Sequence, residues 1–378
     1  MNSRTDTRIV LACNFPRDET LGSARVPLRL AVELRALGAT VSAVFADDLW
    51  DAGRGRAAQL TAPLRMAQAL ISRARNADIV DIAGPDAWAY ERFARRFRPG
   101  QALISRSNGL WDRALAADGY VRKGPIRAIL SRIYQQHVTC RWERASIVAS
   151  DIVLFGASDD GEEMVRRGWK APDHVAIVAP GVDDYMASAV PLDARRDVAF
   201  MGTFFHRKGS DIVAAAMSRV MRERPSVGLT VFAPGIPPAW VLAGFDEAVR
   251  ARVTIREPLP PEALARELGR LAILVFPARY EGFGLAVLEA MRAGLAVVAT
   301  PTGAGKDVVR DGESGLIVPF DDVAATAAAV TRLIDDPPLR IRLARAAVEE
   351  ARGRSWSTTA AELARVYETA RGLARRRS

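Results

Sequence analysis

The sequence predicts an α/β protein built from two successive parallel-sheet domains. Three observations carry that expectation: the length, a strand–helix alternation from end to end, and one interruption near the middle. At 378 residues the chain exceeds one ordinary core and suits two domains of about 150–200 residues. Hydrophobic residues at 49% and charged residues at 26% describe a globular chain rather than a disordered one. Strands that alternate with helices pair in parallel and are covered on both faces.

In the first half, RIVLACN (8–14), VSAVF (41–45), DIVDIA (78–83), ALIS (102–105), DIVLF (151–155) and HVAIVA (174–179) read as strands. Between them, residues 24–38 read as a helix that buries Leu30, Val32, Leu34 and Leu37 and stops at Gly38. The pattern stops at 183–197, a polar, proline-containing stretch without periodicity. It restarts with DVAFMG (197–202), VGLTVFAP (227–234), RVTIR (252–256), LAILVFPA (271–278), LAVVAT (295–300) and GLIVP (315–319). Near the end, SWSTTAAELARVYETARGLA is one amphipathic helix with Ser357 or Thr358 as its N-cap. The expected division is 1–190, 191–354, and a last helix with a basic tail over 355–378. Ligands of open α/β sheets bind beyond the carboxyl ends of the strands, so a site in the cleft between the domains is expected.

Composition excludes several classes. No run reaches the ~18–20 apolar residues of a membrane span. The first apolar run ends at Asn14 without a cleavage pattern, so it reads as a strand rather than a signal peptide, and the expected location is the cytoplasm. Cys13 and Cys140 are far apart, and three histidines without HExxH or CxxC give no framework for a disulfide scaffold or a metal centre. The net charge of +9 favours acidic partners, although a GC-rich gene yields the same arginine excess with no partner at all. The basic residues are not interleaved with stacking aromatics, which argues against nucleic acid.

The most informative segment is 277–305, a strand, a glycine-rich loop and a helix starting near Gly284. Gly282 and Gly284 let the backbone approach a ligand, and free amides at a helix start suit a diphosphate. Glu281 and Glu289 would repel phosphate and are better suited to accept hydrogen bonds from sugar hydroxyls; a solvated Glu289 is the plainer alternative. In 202–212, Arg207 and Lys208 follow a strand and precede Gly209, Ser210 and a helix. Such cations neutralise a departing diphosphate, or merely decorate a solvated turn. His206 beside them reads as a surface residue. GAGKD (303–307) lacks the first glycine and the final Ser or Thr of a phosphate loop, no GxGxxG follows the first strand, and GASDD (156–160) is not GxSxG.

Taken together these segments resemble glycosyltransferase family 4, whose members have the GT-B fold of two Rossmann-like domains facing across a cleft. The likeness runs over nearly the whole chain and is strongest from Glu281 to Glu289, the family's E-x7-E signature, continuing to Gly294. The resemblance implies that Glu281 meets the donor sugar and Glu289 the nucleotide ribose. It places the amides of Phe283, Gly284 and Leu285 near the phosphates and assigns Lys208 to the diphosphate. It makes the last helix one that crosses back to the first domain.

Three positions depart from the family pattern. Thr203 stands where a partner arginine is usual, and Arg207 is the neighbouring cation that would replace it. The glycine pair by the acceptor loop reads Gly22-Ser23. The RS-H-G pattern reads Arg106-Ser107-Asn108-Gly109, and Asn108 keeps a hydrogen bond but carries no proton.

The implied reaction is a metal-independent, retaining transfer of a hexose from a nucleotide-diphosphate sugar co-substrate. Its acceptor would be a glycan or lipid-linked molecule of a bacterial surface polysaccharide or glycolipid. No cofactor is implied. The stretch from Arg92 to Arg144 holds twelve Arg or Lys, and 125–149 reads as a helix with basic and apolar faces that includes Tyr134 and Trp142. Such a face suits peripheral contact with an anionic membrane at ~1 kcal/mol per cation; it equally suits packing on the sheet. The competing expectations are a nucleotide-sugar epimerase of related architecture and a non-catalytic binding protein that keeps the donor site.

Overall fold

The computed structural model describes residues 7–50, 56–118, 133–187 and 190–377. It divides into two units. The first comprises Met1–Leu115, Arg122–Pro180 and Trp356–Ser378; the second comprises Ala116–Val121 and Gly181–Ser355.

The first unit holds strands β1 (Arg8–Cys13), β2 (Thr40–Val44), β3 (Ile79–Ala83), β4 (Ala102–Arg106), β5 (Ile152–Phe155) and β6 (Val175–Ile177). They pair in parallel in the order β2-β1-β3-β4-β5-β6. The second unit holds β7 (Arg196–Met201), β8 (Leu229–Phe232), β9 (Val253–Arg256), β10 (Leu271–Phe276), β11 (Ala296–Ala299) and β12 (Gly315–Ile317). Their order is β12-β11-β10-β7-β8-β9, again parallel throughout. The twelve strands among the described residues overlap the segments that the sequence marks. Central strands of a sheet covered on both faces bury every residue, which is why they read as continuous apolar runs. In β10 all six residues are buried.

β3 buries Asp81 among its apolar residues. The charge survives because Asp81 pairs with Arg106 at the end of β4 and accepts a hydrogen bond from the Tyr367 hydroxyl at 2.6 Å. Burial and the Asp81 charge together push the Tyr367 phenol well above its ordinary range. Tyr367 lies on the helix Trp356–Arg377, so one buried acid ties the end of the chain to the middle of the first sheet.

Some sequence expectations are corrected. The helix Gly22–Ala36 buries Leu30 and Leu34, but Val32 is 53% and Leu37 50% exposed. Leu30, Val32 and Leu34 are spaced by two, the period of a strand, and a helix turns Val32 by about 200° away from Leu30. The last helix starts at Trp356, so Ser357 and Thr358 lie in its first turn and neither is its N-cap. Of the long helix read over 125–149, residues 125–132 lie outside the described residues. The rest is a wider π-type turn, Gln135–Thr139, followed by the helix Cys140–Ala149. Trp142 packs against the rings of Trp88 and Tyr134 at 6.0 and 6.1 Å, so these aromatics interlock with one another. Among the described residues no helix is long and apolar enough to cross a membrane.

Candidate functional site

In each sheet the strand order reverses once, and ligands of such sheets bind beyond the carboxyl ends of the two strands flanking the reversal. In the second unit those strands are β7 and β10. The loop after β7 carries Thr203, His206, Arg207 and Lys208, and the loop after β10 carries Arg279, Glu281 and Gly282. The two segments singled out in the sequence therefore flank one position.

Lys208 Nζ and the Glu281 carboxylate form an ion pair there, with side chains 16% and 7% exposed. Lys208 Nζ also stands 5.5 Å from the centre of the Phe276 ring, a cation–π distance. The turn His206–Lys208 ends at Gly209, whose φ of 72° is left-handed. A Cβ on Gly209 would lie 2.1 Å from the Pro277 carbonyl oxygen. Only glycine allows the Lys208 turn to press this closely on the β10 loop.

Arg279 joins the two loops. Its backbone N donates to the Arg207 carbonyl at 2.8 Å and its Nη1 to the His206 carbonyl at 2.5 Å. Its guanidinium also takes both Asp211 oxygens, at 2.7 and 2.8 Å, and Asp321 at 2.5 Å. Burial pushes the Asp211 carboxyl up, but the Arg279 hydrogen bonds and charge outweigh it and hold the group below its usual value. The sequence reading missed Arg279, although it stands two residues from Glu281.

The Glu281 loop is braced from beneath. Glu281 N donates to Thr302 Oγ1 at 3.2 Å, and Ala304 N to the Phe283 carbonyl at 2.5 Å. Gly303, with φ 54°, lies where a Cβ would be 2.3 Å from that same carbonyl. GAGKD (303–307) is thus a buttress for the glycine loop. Gly282 and Phe283 are buried, and Gly284 takes φ 89° to cap the helix Leu285–Arg292. The first amides of that helix have no acceptor within it and point outward from its start. Glu289 is 4% exposed, which overturns the reading of it as a solvated helix residue.

The other expected residues lie as follows. Thr203 is half-buried, and its methyl carbon would be 3.2 Å from a Cβ on Gly235 in the loop after β8. Arg207 Nε is 3.7 Å from Asp118, so its charge already has a carboxylate neighbour. His206 is surface-exposed, with Nδ1 3.0 Å from the Ala117 carbonyl. Gly22 and Ser23 open the helix Gly22–Ala36 after β1, and Asn108 is exposed in the loop after β4. Gly22, Ser23 and Asn108 belong to the first unit, and Lys208 and Glu281 to the second.

At the strand reversal of the first sheet, between β1 and β3, the structure adds a residue that the sequence does not mark. Asp86 follows β3 and is almost wholly buried, its Oδ2 has no hydrogen-bond partner among the described residues, and burial pushes its carboxyl up to about 7. Glu143 is buried too and accepts from Trp111 N at 3.0 Å. Burial raises its carboxyl well above the usual range.

Residues 195–336 match the family model of the group 1 glycosyl transferases. That span contains Lys208, Glu281 and Glu289. The D-inositol 3-phosphate glycosyltransferase of Corynebacterium efficiens is 29% identical over 249 residues, 60% of this chain and 58% of that protein. The enzyme of the same name from Streptomyces scabiei is 32% identical over 60% of this chain and 56% of its own. The matches thus span under two thirds of these relatives' length. Among solved structures, sucrose-phosphate synthase from Thermosynechococcus elongatus superposes with a TM-score of 0.77 at 18% identity, over 96% of this chain and 98% of that one. Anabaena HepE in complex with UDP and glucose gives 0.67 at 14% identity, over 95% and 99%. The chain has the GT-B fold.

Proposed function

We propose that this protein is a retaining glycosyltransferase of family 4 that moves a hexose from a nucleotide-diphosphate sugar to a glycan or lipid-linked acceptor, without a metal ion. The observation that carries the reading is the Lys208–Glu281 pair at the β7/β10 reversal, beside a glycine loop that opens a helix with Glu289 buried in it.

Each part has a role in that reaction. The ammonium of Lys208 and the amides at the start of the Leu285–Arg292 helix neutralise the diphosphate as it leaves. Glu281 holds Lys208 in place until the donor arrives and then accepts hydrogen bonds from the sugar hydroxyls. Glu289, presented from the buried side of its helix, accepts from the ribose. As the anomeric C–O bond breaks, the negative charge passes to the diphosphate oxygen and the sugar becomes oxocarbenium-like. The acceptor oxygen then bonds to the same face of the anomeric carbon and gives its proton to the departing diphosphate oxygen. Fixed cations and amides aimed at the leaving group stabilise that charge without reorganisation.

The names of the relatives and of the HepE complex favour a uridine nucleotide donor and a phosphorylated cyclitol as the first acceptor to try. A place in surface-glycan or glycolipid synthesis on the inner face of the membrane is part of the same proposal. A thermal-shift screen against UDP, GDP, ADP and their sugar conjugates tests it, with Glu289→Ala alongside. One diphosphate at 100 times its Kd is expected to add ~2.7 kcal/mol of stability, and the variant is expected to lose the shift. Nucleotide release that depends on the acceptor then establishes transfer. No shift with any nucleotide sinks the proposal.

A further inference from the structure

The second unit also has a cavity at the amino ends of β7 and β11, the edge of the sheet away from Lys208. Its volume is about 390 Å³, and Arg195, Arg292, Arg345 and Arg352 face a single lining carboxylate, Glu349. Such a surplus of guanidinium groups in one concavity is costly unless an anion offsets it.

Two of the four are buried. Arg195 donates to the Ala293 and Gly294 carbonyls at 2.6 and 3.2 Å and twice to the Val190 carbonyl, at 3.1 and 2.8 Å. These acceptors are neutral, so its charge stays uncompensated, and burial draws its pKa down. Arg292 is 8% exposed. Its Nη2 reaches Asp184 at 3.1 Å, a carboxylate 87% exposed, and its buried Nε has no partner among the described residues. Arg345 and Arg352 lie two turns apart on one face of the helix Pro337–Arg352, with exposed head groups. Arg352 pairs with Glu349 at 2.7 Å across solvent, a contact that yields readily.

We infer that this cavity binds a small anion bearing a phosphate group. A phosphate brings three or more acceptor oxygens and about −1.5 to −2 charges, enough for Arg292 Nε and the two surface guanidiniums together. A lone carboxylate has neither the charge nor the oxygens. The site is separate from the Lys208 loop and stands whether or not the transferase reading does.

Calorimetric titration tests it with three probes at matched ionic strength: inorganic phosphate, pyrophosphate and ribose 5-phosphate. The protein carries Lys208→Met and Glu281→Gln to weaken the donor loops, and the arginine substitutions below distinguish this cavity from the helix amides that remain there. One-to-one binding of at least one probe is expected. Adding Arg345→Ser and Arg352→Ser is expected to weaken it about tenfold per guanidinium removed. These two side chains are exposed, so the fold is kept. Tighter binding of ribose 5-phosphate identifies a phosphorylated metabolite as the ligand, and tighter binding of phosphate or pyrophosphate identifies the free anion. No binding of any probe, or affinity unchanged by the arginine substitutions, overturns the inference.

Discussion

Replacing Lys208 with Met separates what the ion pair does for the fold from what it does for the reaction. Glu281 is 7% exposed, so the substitution leaves a carboxylate in a site that solvent scarcely reaches. Breaking a buried pair by removing one partner costs roughly 3–5 kcal/mol. Lys208 keeps some solvent contact, which places the loss near the lower end, about 3 kcal/mol. For a unit of this size each kcal/mol moves Tm by about 2–4 °C, so a fall of about 6–12 °C is expected. Adding Glu281→Gln removes the stranded charge, and the double variant is expected to recover most of that fall. The reaction behaves differently. On the proposed mechanism Lys208 faces the leaving diphosphate and is absent from both variants, so each is expected to lose about 10²–10³-fold in kcat. Differential scanning calorimetry and a nucleotide-release assay on the same preparations read the two effects. A Lys208→Met protein that melts within 2 °C of the parent refutes the structural role. A double variant with parental turnover refutes the catalytic one.

Three further outcomes follow from the geometry. The Asp86 carboxyl, near 3.8 when unfolded and about 7 when folded, binds its proton more tightly in the native state. Its contribution is therefore complete below pH 4 and is lost as pH rises to 7. Asp86→Asn is expected to match the parent at pH 4 and to exceed it by on the order of 4 kcal/mol at pH 8 in urea titrations; a gap independent of pH contradicts this. Gly209→Ala sets a Cβ against the Pro277 carbonyl in a left-handed backbone and is expected to cost about 2–5 kcal/mol, read from the urea midpoint. Tyr367→Phe removes one hydrogen bond to the buried Asp81 charge and is expected to cost about 1.5–3 kcal/mol, with hydrogen exchange accelerated along Trp356–Arg377.

The sheets were legible because each strand is a short run buried on both faces, and such runs keep their signature wherever the chain takes them. The helix over 24–38 was read less well because Val32 and Leu37 are apolar yet face solvent, and composition alone does not give the rotation. At the site, the glycines around Glu281 and Lys208 were visible because close backbone approach needs them. The contact between Glu281 and Lys208, 73 positions apart, was not. The family resemblance matches each to a different part of the donor, whereas in the structure each is the other's partner. Arg279 escaped notice for a similar reason. Its acceptors, Asp211 and Asp321, lie 68 and 42 positions away, and no local pattern marks an arginine that joins two loops. Asp86 follows a strand in an unremarkable Gly-Pro-Asp turn, and its value rests entirely on what the fold packs around it.

The helix Trp356–Arg377 belongs by its contacts to the first unit, although the whole of the second precedes it in the chain. The strands of the first unit are therefore made before the second unit, and this helix after it. While the second unit emerges from the ribosome, the first has its six strands but lacks the helix that brings Tyr367 to Asp81. The Asp81–Arg106 pair must wait with one acceptor site unfilled, and that is the interval in which a nascent chain most needs protection. A stop between the second unit and Trp356 would then deprive the first unit of this helix while leaving the residues of the second unit present.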